Sequence, residues 1–283
     1  MQLTDKPLGI NPEATQQKIT RFIKGYVEGT KVKGIVLGIS GGADSATTAV
    51  LCTAAIGSNR VLALYMPEEE AYSKTDQRHI ALLAEKFKFQ LKIINLTSTL
   101  KALYKAIPDN DQEDKLSRGN LKARARMLVW YYYANHKSLI VAASSDKSET
   151  MIGYYTKWGD AAGDIAPIMD LYKTQVRQLA LHLGIPPVIA KKPPTPALWP
   201  GQTAEKEIGL NYETLDLILY GLEHFMEPRT IAKQLGLPAK TVTTVRMRWL
   251  SSEHKRKMPL TTKLGYRTVS HDFRLSRAMG LGE

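Results

Sequence analysis

The sequence predicts an α/β protein built on a doubly wound parallel sheet flanked by helices, and three observations predict it. Short β-prone apolar runs recur at 35–39, 61–66, 91–96 and 139–143. Helix-patterned stretches at 44–56, 73–88 and 118–135 separate them, an alternation that covers both faces of a parallel sheet. The third observation is the turn Gly38-Ile39-Ser40-Gly41-Gly42-Ala43-Asp44-Ser45, which follows the first strand and opens the next helix. Ligands of such sheets bind beyond the carboxyl ends of the strands, where this turn falls.

Taken in order, residues 11–29 place Ile19, Phe22, Ile23, Tyr26 and Val27 at helical spacing. Ile35-Val36-Leu37 is the first strand, and the Ala- and Thr-rich run after the turn is the first crossover helix. Pro108 to Asp114 is acidic and polar, an exposed loop. Lys191 to Gln202 holds four prolines and Gly201, so it cannot be regular helix. A long irregular segment in a compact domain reads as a lid, and 191–206 is expected to be mobile. Tyr212 to Phe225 is again helical, with Leu215, Leu217, Ile218, Leu219 and Leu222 on or near one face. The 283 residues read as a single domain, of which 229–260 is a basic helical C-terminal part.

Composition removes several classes of protein. The hydrophobic fraction of 43% and charged fraction of 23% are those of a soluble globular chain. The apolar runs are too short to span a bilayer, and the first residues lack a signal-peptide core, so a cytoplasmic protein without a membrane partner is expected. Cys52 is the only cysteine, which excludes an intrachain disulfide and a cysteine-based zinc site. Residues 229–283 carry 12 Lys or Arg against 3 Asp or Glu, most of the formal charge of +12. That bias suggests an anionic partner, either nucleic acid or a phosphate-rich small molecule.

The turn supplies the chemistry. Glycines let the backbone approach an anion, and the N–H groups of the opening helix point at it. Ser40 and Ser45 add hydroxyl donors. Asp44 would repel a phosphate unless a divalent metal lay between them. Further fragments follow: Gly119-Asn120-Leu121-Lys122-Ala123-Arg124-Ala125-Arg126-Met127, Ser144-Ser145-Asp146-Lys147-Ser148-Glu149, Thr156-Lys157-Trp158-Gly159-Asp160, Asp164-Ile165-Ala166-Pro167-Ile168 and Leu171-Tyr172-Lys173. Each has an ordinary structural explanation by itself, as helix charges, a cap-like turn or a loop.

The turn resembles the S-G-G-x-D-S loop of ATP pyrophosphatases, which cleave ATP between the α and β phosphates and adenylylate a substrate. The ordered series, continued by Pro194-Thr195, Gly201-Gln202 and His254-Lys255-Arg256, resembles NAD synthetases from about residue 12 to 260. The resemblance implies that Gly38, Ile39, Ser40, Gly41, Gly42, Ala43, Asp44 and Ser45 hold ATP together with Ser144, Lys173 and Thr195. It implies magnesium ligands at Asp44 and Glu149, and contacts from Arg124, Lys157, Asp164, His254 and Lys255 to deamido-NAD. Asp160 would lie at the reacting end, and a carboxylate there could attract ammonium and accept its proton. Asp44 and Lys173 complete the catalytic set.

The resemblance also implies ammonia as nitrogen donor, since glutamine-dependent members carry a further glutaminase domain with a Glu-Lys-Cys triad. A homodimer is implied as well, with the apolar faces at 19–27 and 127–133 as candidate surfaces. The chain departs from the family pattern at Ala143, Ser144, Ala197 and Ala204. The last of these removes an acid from the expected lid. A different reading stays open at this level. Thr230 to Val242 looks like a helix-turn-helix running into Arg246 and Arg248, which would fit a tRNA-modifying ATP pyrophosphatase or another nucleic-acid-binding protein.

Overall fold

A computed structural model describes residues 3–4, 8–269 and 272. Helix α1 (Pro12–Gly29) is capped by Asn11, whose side chain accepts from the Ala14 N–H. Then come β1 (Gly34–Gly38), α2 (Ala43–Ile56), β2 (Val61–Tyr65), α3 (Lys74–Phe87), β3 (Gln90–Ile93), α4 (Thr97–Ala106), α5 (Lys115–Lys137) and β4 (Leu139–Ala142). All strand pairs are parallel, in the order β3-β2-β1-β4. The chain winds outward from β1 through β2 to β3, then returns to place β4 on the other side of β1. The crevice between β1 and β4 is therefore the switch point where this topology binds ligands.

Side-chain alternation divides the core into two layers. Ile35, Leu37, Val61, Ala63, Ile140 and Ala142 face α1, α2 and α7 (Lys173–His182). Val36, Leu62, Leu64 and Val141 face the other way, onto Trp130 and Ala134 of α5. Cys52 is wholly buried in the first layer, and burial pushes its thiol up to about 12. It is a small core side chain and not a nucleophile.

The strand expected at 91–96 ends at Ile93 because Asn95 turns the chain: its side-chain oxygen accepts from the Thr97 N–H at 2.8 Å. Helix α4, which the periodicity did not predict, starts there and buries only Leu100. As an edge strand, β3 is largely exposed and carries Lys92, a residue that discourages further pairing.

After β4 the chain is helical. α6 (Lys147–Ile152), α7, α8 (Pro187–Ala190), α9 (Ala204–Ile208), α10 (Tyr212–Glu223), α11 (Pro228–Leu235), α12 (Ala239–Ser251) and α13 (Glu253–Arg256) follow. Residues between α8 and α9 are irregular, as the prolines require. Tyr212, Leu215, Ile218, Leu219, Ile231, Val242 and Val245 form a third core. The helix-turn-helix pattern is real as geometry, with Gly236 in the left-handed region at φ 65° between α11 and α12. Its apolar side packs on α10, however, and Gly221 is kept bare by Ile231, whose Cδ1 would lie 2.9 Å from an added Cβ. Several of its basic groups serve the fold. Arg248 donates to the carbonyls of Ile208 and Glu207, and Arg256 to those of Thr150, Met151 and Trp249. Among the described residues, no helix is long and apolar enough to cross a membrane.

Candidate active site

A cavity of about 600 Å³ opens at the carboxyl ends of β1, β2 and β4. Its floor is the glycine-rich turn. Gly41 takes φ 77°, and Gly42 N-caps α2 without a side chain, leaving the first N–H groups of that helix aimed at the cavity. Ser45 folds back, its oxygen accepting from the Ser40 N–H at 3.1 Å and lying 3.0 Å from the Ser40 hydroxyl. Gly38 has a different purpose: a Cβ there would come within 2.4 Å of Trp130 Cζ2, so only glycine lets the indole lie against β1.

Four charged groups meet beside this turn. The Lys173 ammonium, 1% exposed, lies 2.6 Å from Asp44 Oδ2, 2.8 Å from Asp146 Oδ2 and 2.8 Å from Glu149 Oε1. Asp44 comes from the first turn of α2, Asp146 and Glu149 from the start of α6, and Lys173 is the first residue of α7. Burial opposes the charge on Lys173, but Asp146, Asp44 and Glu149 together outweigh it and hold the amine protonated well above its ordinary range. Burial pushes Glu149 up to about 8, aided by the neighbouring acids and resisted by Lys173.

Asp146 is the member that sequence reasoning missed. It reads as a cap, and it is one, since Oδ1 accepts from the Glu149 N–H at 2.8 Å. Its other oxygen faces Lys173. The three acids can present oxygens within 4.8 Å of one another, and Asp44 Oδ1 is buried without a hydrogen-bond partner. Hard carboxylate oxygens with an unsatisfied atom among them fit a magnesium ion.

Ser144, Thr195 and Asp160 also line the cavity. Asp160 is exposed to that space, and desolvation by the protein around it raises its carboxyl above the usual range against the pull of the Thr156 N–H. Lys255 faces it from α13, donating to the carbonyls of Gly153 and Tyr155. Arg126, also missed, lies on the cavity side of α5 with Ala123 and Trp130, at spacings of three and four residues. Its Nε donates to the Met66 carbonyl at 3.3 Å.

Arg124 points elsewhere, as the two-residue offset requires. It is exposed, outside the lining, and donates to the Lys157 carbonyl at 3.3 Å, while Lys157 Nζ donates to the His254 carbonyl at 2.6 Å. These three predicted dinucleotide contacts form a linked basic group on the surface. Asp164 is apart from it, accepting from the Val141 N–H at 2.8 Å beside β4.

Residues between α8 and α9 wall the cavity on its open side. Lys122 of α5 is 2% exposed and ties three pieces together, donating to Glu68, Glu70 and the Leu198 carbonyl. Ala204 is buried at the start of α9 and lines the cavity, so the acid missing at this position is missing from the cavity wall.

Comparison with known proteins fixes the family. The family model described as NAD synthase matches residues 15–259. The NH(3)-dependent NAD(+) synthetase of Hyperthermus butylicus is 46% identical over 89% of this chain and 91% of its own. The chain belongs to the NAD synthase family. Like its curated relatives it groups with the NH3-dependent NAD(+) synthetases, ligases that form a carbon–nitrogen bond, and not with nucleic-acid-binding proteins. Among solved structures, an NMN synthetase from Francisella tularensis superposes with a TM-score of 0.80 at 30% identity, over 90% of this chain and 100% of its own. The NH3-dependent NAD synthetase from Campylobacter jejuni gives 0.75 at 30%, with the same coverage. This chain thus shares its fold with two enzymes named for products that differ by a nucleotide.

Proposed function

We propose that this NAD synthase joins ammonia to the nicotinate carboxylate of deamido-NAD at the expense of ATP. A carboxylate oxygen attacks the α-phosphorus, the bond to the β-phosphate oxygen breaks, and pyrophosphate leaves. Ammonia then attacks the acyl carbon of the adenylate, the bond to AMP breaks, and nitrogen loses a proton to give the amide. The observation that carries this reading is the Lys173 ammonium set among Asp44, Asp146 and Glu149 at the foot of an open helix N-terminus.

The α2 N–H groups and the Ser40 and Ser45 hydroxyls would receive phosphate oxygens, with Ser144 and Thr195 contacting the rest of ATP. Lys173 neutralises the negative charge that develops on the α,β-bridging oxygen as it departs with pyrophosphate. Asp44, Glu149 and Asp146 would hold magnesium, which when bound supplies positive charge to the phosphates. Arg124, Lys157, His254 and Lys255 form the basic track for the dinucleotide, with Asp164 beside it. Asp160, whose raised pKa makes it a better base than an ordinary carboxylate, would take the ammonium proton. Asp160→Asn is expected to lower ammonia-dependent turnover about 100-fold, with ATP binding retained; unchanged turnover would remove Asp160 from that role.

The segment 191–206 would act as a lid, and Leu128 and Tyr132, exposed one turn apart on α5, suit a homodimer surface. A cytoplasmic enzyme using free ammonia completes the reading. Incubation with ATP, magnesium, ammonium and deamido-NAD should give NAD, AMP and pyrophosphate in equal amounts, and formation of ADP and phosphate would overturn the mechanism. Nicotinate mononucleotide is the competitor to include, given the likeness to an NMN synthetase.

A further inference from the structure

One buried acid has no access to the cavity. Asp216, in the middle of α10, is 0% exposed among Leu215, Ile218 and Leu219. Burying a carboxylate is costly unless its oxygens are well satisfied, and both oxygens of Asp216 are spent on helix starts that belong to the active site. Oδ1 accepts from the Ser148 hydroxyl at 2.5 Å, and Oδ2 from the Thr174 N–H at 2.9 Å. The Ser148 oxygen in turn accepts from the Lys173 N–H at 2.9 Å. The first two N–H groups of α7 are therefore capped from outside, one by α10 directly and one through α6.

The neighbours on α10 repeat the pattern. Tyr212, Asp216 and Glu223 lie on one stripe at offsets of four and seven residues. The Tyr212 hydroxyl donates to Glu149 Oε1 at 3.4 Å, and its ring centroid lies 5.0 Å from the Lys173 ammonium. Glu223 accepts from Lys147 Nζ and from the Tyr172 hydroxyl, each at 2.5 Å. Every contact falls on 147–149 or 172–174, the segments that carry Glu149 and Lys173. The Asp216 carboxyl also lies at the positive end of α7, where negative charge is favoured.

We propose that Asp216 is a positioning residue for adenylylation: through Ser148 and the Thr174 N–H it sets the relative placement of Lys173 and Glu149, and so the affinity for ATP with its metal. This rests on the assignment of those two residues to the ATP end of the site.

The test compares Asp216→Asn, Ser148→Ala and the double variant with wild type. Calorimetry measures binding of a non-hydrolysable α,β-methylene ATP with magnesium, and steady-state kinetics give kcat and the KM for deamido-NAD. Each single variant is expected to weaken analogue binding about tenfold, the equivalent of one lost hydrogen bond to a charged group. Both should lower kcat by a similar factor and leave the deamido-NAD KM within about twofold. The double variant should be no worse than the weaker single, because both act through one relay.

Unchanged analogue affinity in a folded variant, additive losses, or equal weakening toward both substrates would each overturn the proposal. Should Asp216→Asn fail to fold, Ser148→Ala decides, since it removes one hydroxyl and leaves the acid in place. A wild-type protein that neither binds the analogue nor forms NAD would instead refute the functional reading beneath it.

Discussion

The two ends of the candidate site are built on opposite principles. At the end proposed for the phosphates, Lys173, Asp44, Asp146 and Glu149 emerge from helix starts and neutralise one another through side-chain contacts of 2.6–2.8 Å around a buried ammonium. At the end proposed for the dinucleotide, Arg124, Lys157 and His254 lie on the surface and are linked through the main-chain carbonyls of Lys157 and His254. The buried end is preorganised, so charge developing in the transition state meets fixed groups in a low-dielectric setting. The exposed end offers cations to an anionic ligand without having committed them to an internal acid. Mutations should therefore act on stability and turnover at the first end, and on substrate affinity alone at the second.

The largest expected effect tests the buried end. Lys173→Ala would leave three carboxylates facing one another without their cation. Stability should fall by about 3–5 kcal/mol, and turnover by about 1,000-fold or more in whatever fraction folds. Thermal unfolding and pyrophosphate release measure the two, and a variant of wild-type stability would break the contrast.

Next is a packing change at the same end. Gly38→Ala drives a Cβ into the Trp130 indole and should cost about 1–3 kcal/mol in chemical denaturation. Trp130→Leu in the same chain should recover part of that loss, which would tie it to the indole and not to the loss of glycine.

A pH dependence follows from Asp216, whose carboxyl burial pushes up to about 7. Between its unfolded value near 4 and that folded value, the native state binds the extra proton. Its contribution to stability is therefore present at low pH and lost as pH rises toward 7. Asp216→Asn does not titrate, so the gap in Tm between wild type and variant should favour wild type more at pH 5 than at pH 8. A constant gap would contradict the assignment.

The smallest effect belongs to the exposed end. Lys157→Ala is expected to raise the KM for deamido-NAD about tenfold, one charged hydrogen bond's worth, with Tm and the KM for ATP unchanged. A fall in stability comparable to that of Lys173→Ala would erase the distinction between the two ends.

Particular residues show how far the sequence reached. The glycine-rich turn was legible because its chemistry is local: one left-handed glycine, one bare N-cap and two hydroxyls lie within eight residues. Asp146 was not, because a carboxylate three residues before a helical N–H is explained by capping alone, and nothing in the sequence shows that its second oxygen faces Lys173, 27 residues later. Arg124 and Arg126 stand two residues apart on α5, an offset that makes them diverge. Which one enters the cavity depends on how α5 lies over β1 and β2, and it is Arg126. The C-terminal basic residues suggested an external anion, but Arg248 and Arg256 are bound to carbonyls of the protein's own backbone.

By itself, then, the sequence determined the alternation of the four strands with helices, though not α4, together with the position of the glycine-rich turn at a strand end, and the family. Those properties depend on periodicity, on local backbone conformation and on an ordered set of motifs, all of which survive in one dimension. Only the tertiary structure decided that a lysine from α7 lies among acids from α2 and α6, and that α10 braces both helix starts from behind. Those are contacts between residues far apart in the chain, and their geometry is set by how whole helices pack. The glycine-rich turn is local in the chain; the buried cluster beside it and the brace behind it exist only in three dimensions.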